Sequence, residues 1–199
     1  MTDTKMIRSA RVIDRVLLVL EIILIVSGAV AAAKVLMVYA AQEGFVRDTS
    51  LIELGHLSLR LHDTAVPSFE ALRPSIVLEL AAILIKIATG WHLLHVIREV
   101  FRPMREGKPF EEGASGKIRP LVWIELICGT VIELSKMAGK LIEIKNYDVA
   151  GLLNPEAVHS FDFVYDFNFE FVLVALVLYF LSRVFRHGEA LRQESDETP

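Results

Sequence analysis

Cysteine is almost missing from this 199-residue chain. Cys128 is the single one. An internal disulfide framework and a cysteine-rich zinc module are therefore excluded. Positive charge is not in surplus either: 21 Lys and Arg stand against 25 Asp and Glu, a net charge of −4. A strongly basic nucleic-acid binder is disfavoured, and no direct nucleic-acid partner is expected. Gly-rich phosphate loops, a nucleophile elbow and a His-Glu-x-x-His motif are also missing. No catalytic constellation emerges, so an enzyme is the least favoured class, and no cofactor is called for. At 53% hydrophobic residues the chain is too apolar to be disordered.

The 23% charged residues are unevenly spread. Four stretches hold most of the apolar residues: 16–40, 76–101, 118–138 and 169–185. Each is near the ~20 residues that a helix needs to cross a bilayer. A soluble bundle would show an apolar stripe and a polar face. Residues 16–40 instead carry only Glu21 and Lys34 as charges, and residues 171–182 carry none. The expectation is an all-α membrane protein, a bundle of four transmembrane helices forming one domain. The basic N-terminus and Ala31-Ala32-Ala33 resemble a cleaved signal. Glu21, and the apolar continuation to Ala40, favour an uncleaved anchor.

Basic residues alternate with the spans. Lys5, Arg8, Arg11 and Arg15 precede the first. Arg98, Arg102, Arg105, Lys108, Lys117 and Arg119 lie between the second and third, and Arg183, Arg186 and Arg192 follow the fourth. The positive-inside rule then places both termini and the inner loop 102–117 in the cytoplasm, with outer loops at 41–75 and 139–168. The tail 187–199 is polar and acidic and would prolong the last helix by about two turns before fraying.

The outer loops carry strand-like patterns. Leu57 to His62 alternates apolar and polar residues, and Phe161 to Phe169 has an aromatic at every odd position. Period-two alternation argues for strands. A small extracytoplasmic β cap built from both loops is expected, with Leu141 to Ile144 as a third strand. The competing reading of the second run is an aromatic belt at the membrane surface. Asn154-Pro155 reads as a short helix start.

Two segments carry a family resemblance. One is Gly107-Lys108-Pro109-Phe110 after Arg105. The other runs from Val184 through Arg186, Gly188, Leu191, Glu194 and Asp196 to Thr198. Together with the aromatic and acidic alternation before the last span, the chain resembles the DUF2975 family. It departs in carrying more charge inside the spans and a longer first outer loop. The resemblance implies a bacterial inner-membrane protein encoded near a small helix-turn-helix regulator of the Cro/C1 type. It also implies a regulatory role in which Gly107, Lys108, Pro109, Phe110, Arg186, Gly188, Leu191, Glu194 and Asp196 bind a partner.

Charges inside the spans form the other candidate site. A charge at mid-bilayer costs at least ~2.5–3.5 kcal/mol. Glu125, Gly129, Glu133, Lys136 and Lys140 follow 4-4-3-4 steps and share a face. Glu79, Ile83, Lys86 and Gly90 do the same, as do Glu21, Gly28 and Ala32. Each stripe holds a small residue, the mark of close helix contact in membranes. Glu21, Lys86, Glu125, Glu133 and Lys136 are therefore expected inside the bundle. At 1.5 Å per residue Lys86 lies level with Glu133, and Glu21 with Glu125. A Lys86–Glu133 contact and a polar pocket shared by Glu21 and Glu125 follow.

Three functional readings stay open: a membrane regulator, a small ion- or proton-conducting protein using the buried charges, and a small-ligand binder. A homo-oligomer is compatible with each. His92, His95 and Glu99, at 3-4 spacing, are weak metal candidates. Interfacial histidines beside Trp91 are the simpler reading. His56 and His62 are weaker still.

Overall fold

The computed structural model describes residues 2–40, 51–54, 57–60, 67–105, 113–147 and 165–196. These fold as α1 (Thr2–Ala40), a hairpin of β1 (Leu51–Leu54) and β2 (Leu57–Arg60), α2 (Phe69–Arg105), α3 (Ala114–Tyr147) and α4 (Glu170–Asp196). Each helix outruns the apolar stretch that announced it, because its polar ends continue in helical geometry. The inner segment 106–112, with Gly107-Lys108-Pro109-Phe110, lies outside the described residues, as do His56, His62 and Asn154-Pro155.

Local chemistry sets the helix starts. The Ser68 carbonyl accepts from the amides of Ala71 at 3.1 Å and Leu72 at 3.3 Å and opens α2. Gly113 has φ of 87°, a left-handed conformation that a side chain would strain, and its carbonyl accepts from Lys117 at 3.2 Å. Asn168 Oδ1 accepts from the amide of Glu170 at 2.8 Å, an Asx turn that starts α4.

Among the described residues three helices are long and apolar enough to cross a membrane: α1 over Ile7–Met37, α2 over Phe69–Met104 and α4 over Glu170–Glu194. The fourth expected span, α3, is a helix but falls short in apolarity. With 34 residues α3 is long enough, but Glu125, Glu133 and Lys136 interrupt its middle. The most apolar window of α1 has none of its residues buried in the protein. Val19, Ile22, Ile23 and Val26 are all more than half exposed. A water-soluble bundle would hide such a surface; bilayer contact explains it.

The β cap is not supported. Among the described residues β1 and β2 pair only with each other, antiparallel, with Ile52 opposite Leu59. Residues 165–169 are neither strand nor helix, and 161–164 lie outside the described residues. Leu141 to Ile144 is helix, continuous with α3, where Lys140 reaches Glu143 at 3.1 Å one turn on.

Two compact units divide the chain. The first joins residues 1–28, 85–131 and 168–199. Its core is Val100, Ala114, Ile118, Leu121, Leu178 and Phe185, with Phe101 meeting Phe185 edge-on at 6.0 Å. Here α1 turns a narrow seam inward: Ala10, Asp14, Leu17, Glu21, Leu24 and Gly28 are covered while their neighbours are exposed. Steps of four and three are the geometry of a helix pair crossing at a shallow angle. The glycines make the close approach. A Cβ on Gly28 would overlap Ile87, one on Gly90 would come within 2.8 Å of Leu24, and one on Gly129 would overlap Phe171.

The second unit joins residues 29–84 and 132–167. Leu72, Ser75 and Ala82 are its most covered positions on α2, and Gly139 of α3 passes close to the Ser75 backbone. Asn146 Nδ2 donates to the Ala71 carbonyl at 3.2 Å, and Tyr39 packs edge-on against Phe69 at 5.2 Å.

The reciprocal notches carry a prediction. Gly28→Leu has to push α1 off Ile87 and is expected to cost about 1–3 kcal/mol. Leu at the exposed neighbour Val26 is expected to cost almost nothing. Thermal unfolding midpoints of the two variants in detergent check the contrast.

Candidate functional site

An arginine between two acids organises the first unit. Arg98 Nη1 donates to Glu21 Oε2 at 2.9 Å, and Arg98 Nε donates to Asp14 Oδ1 at 3.2 Å. Asp14 and Glu21 are seven residues apart, two turns along one face of α1, so a single guanidinium from α2 reaches both. The side chains are 26%, 17% and 12% exposed for Arg98, Asp14 and Glu21. A planar fork with several donors suits this bridging role better than an ammonium. Glu21 is thus paired with Arg98. Glu125 is half-buried and has no ion-pair partner among the described residues.

Glu133 organises the second unit. It is 5% exposed, and Lys136 Nζ donates to its Oε1 at 2.7 Å. The Tyr165 hydroxyl donates to Oε2 at 3.1 Å. Lys136 reaches the carboxylate from an exposed position one turn along α3. Lys86 is also exposed, on α2 and in the other unit. The expected burial of both lysines is therefore corrected: their long side chains allow an exposed backbone position. Burial, together with the Glu133 carboxylate beside it, pushes the Tyr165 phenol up to about 12.

A third contact joins the first turn of α3 to the extension of α4. The Glu189 carboxylate accepts from the Ser115 amide at 2.9 Å and from the Ser115 hydroxyl at 2.7 Å. Ser182 Oγ donates to the Ser115 carbonyl at 3.3 Å. The free amides of a helix start need acceptors, and an acidic group there also meets the positive end of the helix dipole. Of the residues singled out for partner binding, Arg186, Leu191 and Glu194 are exposed on this extension, Gly188 is partly covered and Asp196 closes the helix.

Among the described residues no three His, Cys, Asp or Glu could hold a metal ion. His95 stacks on Trp91 at 5.3 Å, its Nε2 lies 3.6 Å from Glu99, and Lys117 lies 3.8 Å from the other oxygen of Glu99. Cys128 is half-buried with a free thiol.

Sequence reasoning missed Arg98, Asp14, Tyr165, Ser115 and Glu189. The seven-residue spacing of Asp14 and Glu21 was the available signal for the first group. No family model, no curated protein and no solved structure matches the chain.

Removing the bridging cation leaves two carboxylates in an apolar seam. Arg98→Met is expected to destabilise the protein by about 2.5–3.5 kcal/mol. Adding Asp14→Asn and Glu21→Gln recovers most of it. Unfolding midpoints of the single and triple variants check this. Tyr165 gives a pH dependence. Its phenol ionises at about 12 when folded and near its ordinary value of 10 when unfolded. The bond to Glu133 therefore contributes fully below pH 10 and is lost as pH rises through 12. Absorbance titration at about 295 nm reads the phenolate. Glu133→Gln is expected to bring the midpoint down towards 10.

Proposed function

We propose that the chain is a membrane-embedded regulatory protein whose output surface is the joined start of α3 and extension of α4. The single observation that carries this reading is the paired hydrogen bond from Ser115 to Glu189. It ties together the two segments that the family resemblance marks for partner binding: the inner connection and the polar tail. A displacement of α4 is felt at once at the start of α3, and the reverse holds. Leu191, 53% exposed, sits beyond this latch in a polar setting where an apolar side chain serves a partner better than water.

The positive-inside rule puts this surface in the cytoplasm, with α3 crossing the membrane sheltered by its neighbours. The resemblance to the DUF2975 family supports a bacterial inner membrane and a cytoplasmic helix-turn-helix regulator as the partner. Ion conduction has less support. Arg98 neutralises Glu21, and Lys86 and Lys136 are exposed. Glu125 is the residue that would carry it.

Co-purification from bacterial membranes tests the proposal. The full chain is expected to retain a helix-turn-helix protein that a chain lacking residues 187–199 loses. Glu189→Gln, which weakens the latch but keeps the tail, is expected to change the amount retained several-fold. Identical recovery with all three forms would remove the tail from the function.

A further inference from the structure

At the same end of the first unit, α3 and α4 enclose a pocket of about 280 Å³. Arg119, Arg183 and Arg186 line it, with Ser115, Ser182 and Tyr179. Three guanidinium groups around one small concavity repel one another unless an anion sits among them. The protein supplies little of that charge. Arg183 donates to the Tyr179 hydroxyl at 3.1 and 3.2 Å and lies over its ring at 5.5 Å. The carboxylate of Glu189, bonded to Ser115 at the pocket's edge, sets one negative charge against three guanidinium groups. Arg119 and Arg186 have no acidic partner among the described residues, and both are exposed.

The place in the fold narrows the anion. Arg183 and Arg186 come directly after the uncharged run 171–182 of α4, where an apolar helix leaves the hydrocarbon. One to two turns further in, Trp123, Leu176 and Phe180 are 63%, 63% and 67% exposed. A cationic pocket therefore opens beside an uncovered apolar wall. Tyr179, with an apolar ring and a polar tip, is a residue of that boundary. The complementary ligand is amphiphilic: a phosphate ester with acyl chains. Arginine forks match phosphate oxygens in pairs, and basic pockets between membrane helices on the cytoplasmic side take anionic headgroups.

We infer that Arg119, Arg183 and Arg186 bind the phosphate of an anionic phospholipid, with the acyl chains lying along Trp123, Leu176 and Phe180. The inference holds whether or not the latch beside it serves a regulatory partner. The shared chemistry is a phosphate anion, which a lipid headgroup or free phosphate could supply.

The full chain in nanodiscs of phosphatidylcholine doped with phosphatidylglycerol tests it, with retained lipid counted by native mass spectrometry. The wild type is expected to enrich phosphatidylglycerol about ten-fold over its share of the bilayer. Arg119→Gln with Arg186→Gln is expected to abolish the enrichment, while Arg8→Gln with Arg11→Gln, an equal charge change elsewhere, keeps it. A wild type with no enrichment overturns the proposal without reference to any variant. So does equal enrichment by the Arg119/Arg186 variant. Millimolar inorganic phosphate that displaces the lipid completely would assign the pocket to free phosphate and overturn the lipid assignment.

Discussion

Arg98 between Asp14 and Glu21 is the constraint on which the first unit rests. An ionised carboxylate in an apolar helix has to find a cation, and one guanidinium answers two of them. Once it does, α1 has a fixed rotation and a fixed register against α2. Leu24 then meets Gly90, and Gly28 meets Ile87. Dispersion contacts between apolar side chains would tolerate a slip of one turn. The charge bridge does not, because the same slip strands an acid. Polar groups in membrane helices commonly serve this purpose, specifying one packing among several of similar contact energy.

The four helices were legible because apolar runs of bilayer length leave few alternatives. Their true ends were not. Residues 2–15 are too polar to stand out by hydropathy, yet they continue as helix in α1, whereas the extension of α4 through the polar tail was expected. Alternation misled in the outer regions. Residues 165–169 have the aromatic period of a strand but meet no partner strand among the described residues, and a single strand without a ladder does not hold. Leu57 to Arg60 has the same kind of pattern and does form a strand, because Leu51–Leu54 lies two residues away.

The charged residues show the same mixture. Glu133 and Lys136 were grouped correctly on one face of α3, since three residues apart on a helix is a fixed distance. Arg98 was counted among the charges that set topology, and that hid its second role. Tyr165 was one aromatic in a row of five, and nothing in the row marks which hydroxyl turns to a carboxylate. Long-range polar pairs of this kind depend on helix rotation, which hydropathy does not encode. The glycines did better: Gly28, Gly90 and Gly129, picked out for small size within polar stripes, sit where neighbouring side chains come closest.

The cap on α3 also sets an order of events. Ser115 and Glu189 lie 74 residues apart in the chain. During synthesis the first turn of α3 is complete long before its acceptor leaves the ribosome. Until then its amide lacks the acceptor that it has in the finished protein. The polar group that finishes α3 thus arrives with α4. A chain broken off before residue 189 lacks the carboxylate that closes Ser115, so its α3 begins with a start that the finished protein does not leave open.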